Sequence, residues 1–460
     1  MKSKLRAGAQ CTVTFEGYDR DGLAVGPGPG GVTVCAAGGV RGERARVLIE
    51  HVSPHRALAW GRIEALELES RDRRRGLRVD HRCGGCSWAH LGGGAQREAK
   101  LGALREALAA QGVAGAGALS ITPSPKPAGY RNRGKYVVGR KRGWVVLGGY
   151  QPRSHNVVST LGCPVMAPAV DRAARALASC LDAKGDWPVY DEKQRTGLLR
   201  YAGVRANDRE EVLVTLVVTE TGDRPWAELA EALASRVEGL VGLTLDVNQT
   251  GGNVLFGGQG EVVWGRPELS DRYGPVTVRL SGHGFGQVNR EVAAALYGDA
   301  ARAALAPLSG AGAVRRIWDL FSGAGALTQT LAVCGGEAVE VLGVERDEEA
   351  VRAAAECAVE AGLGGCRFRA GDANQLLEAL MEEPPDVVVL NPPRTGCRVE
   401  LLAALVASQV RRVVYVSCSA ETLARDLAVL KAAGFELTHL QGYDMLPMTP
   451  HLEVLAVLER

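Results

Sequence analysis

In the last third of the chain, from about residue 313, short apolar runs alternate with helical stretches: "RRIWDLF", "EVLGVE", "DVVVL", "RVVYVS" and finally "HLEVLAVL". This alternation predicts strands joined by crossover helices into a parallel, doubly wound sheet. Open sheets of this kind bind ligands outside the carboxyl ends of their strands. The residues that follow each run are therefore the ones to read for chemistry.

The first 66 residues follow another period. "CTVTFEGYD", "GVTVCAAG" and "RARVLIEHV" alternate apolar and polar positions and are broken by "GPGPGG", which predicts a small antiparallel barrel over residues 1–66. Residues 67–290 carry an arginine run from Arg71 to Arg78, the motif "CGGCSWAH", a linker-like "TPSPKPAGY" and strands such as "EVLVTLVV" between helices. A mixed α+β central domain is expected there, with the doubly wound Rossmann-like α/β domain over 291–460. A chain of 460 residues has room for such a division.

With 46% hydrophobic and 23% charged residues, the composition is that of a globular protein. No apolar run of membrane-spanning length occurs, and "MKSKLRAGAQ" has no apolar signal region; a cytoplasmic chain without a membrane partner is expected. Eleven cysteines, an odd number scattered over a long chain, predict reduced thiols rather than a disulfide framework. A net charge of +2 excludes a strongly polybasic nucleic-acid binder at whole-chain level. Local charge says more. From Arg131 to Arg153 there are seven Lys or Arg and no Asp or Glu, interleaved with Tyr136, Trp144 and Tyr150. Cations beside aromatics suit phosphates and unstacked bases, although a solvated edge strand has the same pattern.

Chemistry-bearing residues cluster at the predicted strand ends. "DLFSGAGALTQTLA" runs from a strand into a glycine turn, Phe321 to Gly325, and then a helix. Gly323 and Gly325 would let a ligand approach the backbone. Glu345 ends the next strand, where an acid can accept ribose hydroxyls, and Asp372 follows the third. This order suits S-adenosylmethionine at least as well as a dinucleotide. "NPPRTG" follows "DVVVL", and its two prolines would fix the Asn391 amide at the sheet edge. Arg394 stands where amino-group methyltransferases put an aromatic ring, which counts against amino-group methylation. Cys418 ends "RVVYVS"; a lone cysteine is more often packing than nucleophile, but its neighbours at the same sheet edge reverse that preference. Glu453 begins the last apolar strand, with His451 beside it. A buried carboxylate there would have a raised pKa and suit a general base; an exposed edge residue is the plainer alternative.

Taken together, these motifs resemble the RNA uracil-C5 methyltransferase family, whose catalytic half carries a proline–proline–arginine–glycine turn, a "SCN" strand end and a "HxExV" last strand. The start resembles the TRAM domain of that family's ribosomal branch, and "YRNRGKY", "LGCPV" and "GFGQVNREVAAALY" match its central and bridging segments. The resemblance implies a class I S-adenosylmethionine-dependent enzyme, a monomer, acting on RNA, with 23S ribosomal RNA favoured over transfer RNA. Cys418 would add to uracil C6, and Glu453 would remove the C5 proton, with His451 as its orienting neighbour. Phe285 and Gln287 would approach the cofactor, in company with Phe321, Gly323, Gly325, Glu345, Asp372 and Asn391. Asn391 replaces the family's usual Asp and Ser419 its usual Asn. Cys83, Cys86 and Cys163 match three ligands of the 4Fe–4S cluster found in part of the family, while the fourth position is Leu77; Asp80 or His81 as a substitute, a zinc site and no metal at all are the alternatives. Other readings are an RNA cytosine-C5 methyltransferase, for which Cys397 is badly placed after "NPPRTG", and an inactive RNA-binding homologue.

Overall fold

The computed structural model describes residues 5–75, 81–114, 119–152, 154–251, 254–258, 260–308, 312–375 and 382–460, without the side chain of His81. Leu77, Arg78, Asp80 and Arg153 lie outside the described residues. The chain forms two compact units, residues 1–106 with 446–452, and residues 107–445 with 453–460.

In the first unit, six strands form one sheet. The strand Gln10–Thr14 alternates exposed and buried positions, so that Val13 faces inward with Val34, Ala45, Val47 and Ile49. The sheet curls back on itself: Glu16 N donates to Val25 O at 2.8 Å. A Cβ on Gly26 would stand 2.1 Å from Thr14 O, so only glycine permits that approach. These contacts give the expected barrel. Glu43, fully buried, accepts two hydrogen bonds of 2.6 Å from Arg73. The segment 446–452 joins this unit through Met448, whose N–H donates to Gln96 Oε1 at 2.7 Å and whose carbonyl accepts from Trp88 N at 2.9 Å.

The second unit holds two large sheets. A seven-stranded sheet contains Arg133–Lys141, Leu199–Ala206, Val212–Val218 and Leu240–Val247 in adjacent order. Its Val138, Val204, Val214 and Leu243 share a core with the helices Pro168–Ala183 and Trp226–Ala234. The eight-stranded sheet runs Cys366–Ala370, Glu340–Glu345, Arg316–Leu320, Val387–Leu390, Arg412–Ser417, Glu453–Glu459, Glu436–Tyr443 and Ser120–Thr122. The first five strands are parallel, and Glu453–Glu459 inserts antiparallel between Arg412–Ser417 and Glu436–Tyr443. The chain order reverses between Arg316–Leu320 and Val387–Leu390, which opens a crevice at their carboxyl ends. Each strand of the middle trio is buried along most of its length, as "VVVL" and "RVVYVS" require.

Candidate active site

The crevice is a cavity of about 460 Å³, within the usual range for small-molecule sites. Gln287, Phe321, Gly323, Glu345, Asn391, Cys418 and Glu453 all line it, together with Phe285. Gly325 and Asp372 do not, although Gly371 and Ala373 on either side of Asp372 do. Gly325 instead allows the helix Ala326–Gly335 to start against the sheet; its φ is 80°, and a Cβ would lie 2.7 Å from the Phe368 ring. Asp372 accepts from Asn374 N at 3.0 Å and Asn374 Nδ2 at 2.7 Å, and these bonds hold its carboxyl below the usual range.

One end of the cavity is built from backbone. Phe321 has φ 69°, a left-handed conformation that costs a large residue energy and marks a constrained site. Glu345 Oε2 accepts from Gly323 N at 3.0 Å, and Oε1 accepts from Arg346 N at 2.8 Å and Asp347 N at 3.2 Å. These bonds fix the carboxylate at the glycine turn, as ribose recognition requires. Among the described residues, Ser322 Oγ and Asp319 Oδ1 are buried without a hydrogen-bond partner beside the same turn. Burial pushes the Asp319 carboxyl up to about 7, with Thr328 Oγ1 donating to it at 2.6 Å. Unsatisfied polar atoms around an apolar slot are the complement of a nucleoside ligand. These residues therefore fit S-adenosylmethionine.

The other end is built from ionisable groups. Ser417 pairs with Val454 in the antiparallel ladder, so the next step of the register sets Cys418 against Glu453. Glu453 is buried, and among the described residues no side chain or N–H hydrogen-bonds to its carboxylate. Burial pushes it up to about 7, opposed by the Arg394 charge. Burial and the Glu453 charge raise the Cys418 thiol, and Arg394 draws it back. A proton on Glu453 removes the charge that, with burial, opposes a thiolate on Cys418. The pair therefore favours negative charge on one member at a time.

The loop carrying Asn391 and Arg394 is tied to the helix that follows Cys418. Asp426, fully buried, accepts from Cys397 N at 2.9 Å, Tyr415 OH at 2.7 Å and Arg425 Nε at 2.7 Å. Arg425 Nη2 donates to Thr395 O at 3.1 Å and Cys397 O at 3.2 Å, and Thr422 Oγ1 donates to Arg394 O at 3.2 Å. Ser419 caps that helix, accepting from Thr422 N at 3.4 Å, which is a role Asn performs equally well. Cys397 is a packing residue: it is buried, its thiol donates to Tyr415 OH at 3.7 Å, and burial pushes it up to about 12. Tyr273, Tyr297 and Arg394 also line the cavity and were not read from the sequence as site residues. Only the Arg394 position, inside the proline turn, carried a signal.

Cys83 and Cys86 belong to the first unit and Cys163 to the second. Among the described residues no group of three or more His, Cys, Asp or Glu is arranged to hold a metal ion. The fourth position, Leu77, and the substitute Asp80 lie outside the described residues. His451 belongs to the first unit and Glu453 to the second. No described helix is long and apolar enough to cross a membrane.

Residues 314–425 match the family described as a methyltransferase domain. An uncharacterised RNA methyltransferase of Thermosynechococcus vestitus is 34% identical over 92% of this chain and 92% of its own length. A second, from Caldanaerobacter subterraneus subsp. tengcongensis, is 31% identical over the whole of both chains. This chain belongs to the RNA methyltransferases. The fold is shared with a solved structure from Pyrococcus abyssi, the tRNA (uracil-54, C5)-methyltransferase in complex with S-adenosyl-L-homocysteine. That likeness has a TM-score of 0.77 at 24% identity and covers 97% of this chain and 99% of that one. In this S-adenosylmethionine-dependent RNA methyltransferase the glycine turn and Cys418 line one cavity.

Proposed function

We propose that this RNA methyltransferase transfers a methyl group to uracil C5 in structured RNA, with 23S ribosomal RNA as the favoured substrate. The carrying observation is the placement of Cys418 against Glu453 on the wall of the cavity that also holds the glycine turn and Asn391. Bound S-adenosylmethionine supplies an electrophilic methyl group. Uracil C5 is a poor carbon nucleophile, so the ring needs electron density from a donor on the protein. The Cys418 thiolate provides it by forming a bond to C6, which moves the ring electrons to C5 and O4. Asn391 donates to the charge that develops on O4. After C5 has gained the methyl group, Glu453 takes the C5 proton, the C5–C6 double bond re-forms and the thiolate leaves. Once the thiolate charge has passed into the adduct, a carboxyl held near 7 can lose its own proton to water and then accept the one from C5.

The barrel of the first unit and the hairpin around Arg142 and Gly143 are each proposed to contact RNA, whose target base is extruded. That hairpin presents Arg140, Lys141, Arg142 and the 68%-exposed Trp144 together. No step runs through an iron–sulfur cluster: four thiolates are the usual requirement, and the side chain at Leu77 has no ligand atom. The buried, hydrogen-bonded Cys397 leaves the cytosine-C5 alternative without its second thiol. The test is incubation of the purified protein with labelled S-adenosylmethionine and RNA from a strain lacking it, followed by nucleoside mass spectrometry. Labelled 5-methyluridine in 23S RNA is expected. Label in 5-methylcytidine would overturn the base assignment, and label in transfer RNA alone would overturn the substrate.

A further inference from the structure

Outside the cavity, one face of the seven-stranded sheet carries cations that outnumber the acids facing them among the described residues. Lys135 pairs with Gly203 and Arg133 with Arg205, so these side chains lie on the same face of two neighbouring strands. Phe256 lies over that face, and a Cβ on Gly203 would touch its ring at 3.4 Å. Arg133 Cζ stands 5.4 Å from the ring centroid and Lys135 Nζ 5.3 Å. The ring is held in place from both sides. Buried Asn248 donates to Val254 O at 2.8 Å and Leu255 O at 3.2 Å, and buried Asp246 accepts from Gly257 N and Gly258 N.

The charge on this face is unbalanced. Arg133 and Arg205 are buried, and among the described residues the Nε of each has no hydrogen-bond partner. Asp271 is the carboxylate that faces Arg205, and Arg290 Nε already donates to it at 2.7 Å. Burial and the neighbouring guanidiniums push the Lys135 ammonium down to about 8. An anion at this place would relieve all three cations. The two arginines also gather the carbonyls of the next loop: Arg133 donates to Gly282 O at 2.7 Å and Gly284 O at 2.8 Å, and Arg205 to Gly284 O at 2.5 Å. That loop leads directly into Phe285, which is 67% exposed, and Gln287, both on the cavity wall.

We propose that Phe256, Lys135 and Arg133 form a subsite for a nucleotide flanking the target base, with the base stacked on Phe256 and its phosphate beside the two cations. The subsite rests on the RNA reading above and extends it to a named place. Stacking on a preset ring tolerates any base, so the subsite would hold the strand while the cavity reads the target.

The test measures binding of a fluorescein-labelled, mixed-sequence single-stranded RNA to the full chain by anisotropy at several salt concentrations. Phe256→Ala is expected to weaken binding on the order of 10- to 100-fold, and Phe256→Trp to retain it. Lys135→Ala should lower the slope of log affinity against log salt by about 0.7, the share of one phosphate contact. S-adenosylmethionine affinity by calorimetry should be unchanged in all three variants, which separates loss of the subsite from loss of the fold. Wild-type RNA affinity and salt slope in Phe256→Ala and Lys135→Ala would overturn the subsite and leave the RNA reading intact. A wild-type chain that bound no RNA would overturn both.

Discussion

Two glutamates stand at opposite ends of one cavity and have been given opposite surroundings. Glu345 accepts three backbone N–H groups from the glycine turn and the segment after its own strand. Glu453 is buried on an antiparallel strand, with no hydrogen-bond donor to its carboxylate among the described residues, and is pushed up to about 7. Backbone donors hold a carboxylate in place, ready to accept hydroxyl hydrogen bonds. Desolvation prepares a carboxylate to take a proton. In the proposed reaction the same residue type serves as a binding group at one end and a base at the other through its partners alone.

The largest effect should come from the ionisable end. Cys418→Ser is expected to lower methylation at least ~1000-fold, because a hydroxyl is a far weaker nucleophile and the other groups cannot replace it. RNA containing 5-fluorouridine should trap wild-type protein as a complex that survives denaturation, since fluorine cannot leave as a proton. A trapped complex with Cys418→Ser would remove Cys418 from the mechanism.

A second effect separates the glutamates by pH. A carboxyl raised from 4.5 to about 7 on folding costs no stability below pH 4.5 and a growing amount as pH climbs to about 7. The full cost is on the order of 3 kcal/mol. Glu453→Gln should therefore gain stability relative to wild type over that window, read from melting temperatures at successive pH values. Asp319, also raised to about 7, keeps a residual slope in both proteins. An identical pH profile in wild type and variant would show that Glu453 is not desolvated. At the other end, Glu345→Ala should weaken S-adenosylmethionine binding by about 1.5–3 kcal/mol in calorimetry, through loss of charge-assisted hydrogen bonds. Unchanged affinity would place the ribose elsewhere.

The smallest effect concerns the turn that carries Cys418. Ser419→Ala should cost about 1 kcal/mol of stability by removing the cap of the helix Ala420–Ala432, and Ser419→Asn should restore it. A denaturant midpoint that did not move in Ser419→Ala would leave the replacement of Asn by Ser without a structural reason.

The difference between the two ends also explains what could be read in advance. The glycine turn, Glu345 and Cys418 are legible because each sits where an apolar run stops, and Glu453 because it sits where one starts. Asp372 was read by the same rule and stands just outside the cavity lining, because its carboxylate turns back onto Asn374. Tyr273 and Tyr297 come from a hairpin and a helix outside the run of catalytic strands, and only tertiary packing brings them to the cavity. The Asp426 hub joins residues 11 and 29 positions away, which no local pattern reveals. The edge strand Ser120–Thr122 is too short for its period to show, and it pairs with Glu436–Tyr443, more than 300 residues later. Likewise "MLPMTPHL" reads as a lead into the last strand, yet residues 446–452 belong to the first unit.

The central claim is that Cys418 and Glu453 act in sequence, the thiol opening the reaction and the carboxylate closing it. It is tested most directly by incubating Glu453→Gln with substrate RNA and S-adenosylmethionine labelled in the methyl group, then resolving the products under denaturing conditions. An amide cannot accept the C5 proton, so addition and methyl transfer should proceed while release of the thiol fails. The account predicts a protein–RNA species that already carries the labelled methyl group, absent when Cys418→Ser is added to the same chain. Release of methylated RNA by Glu453→Gln at the wild-type rate, with no labelled adduct, would contradict it.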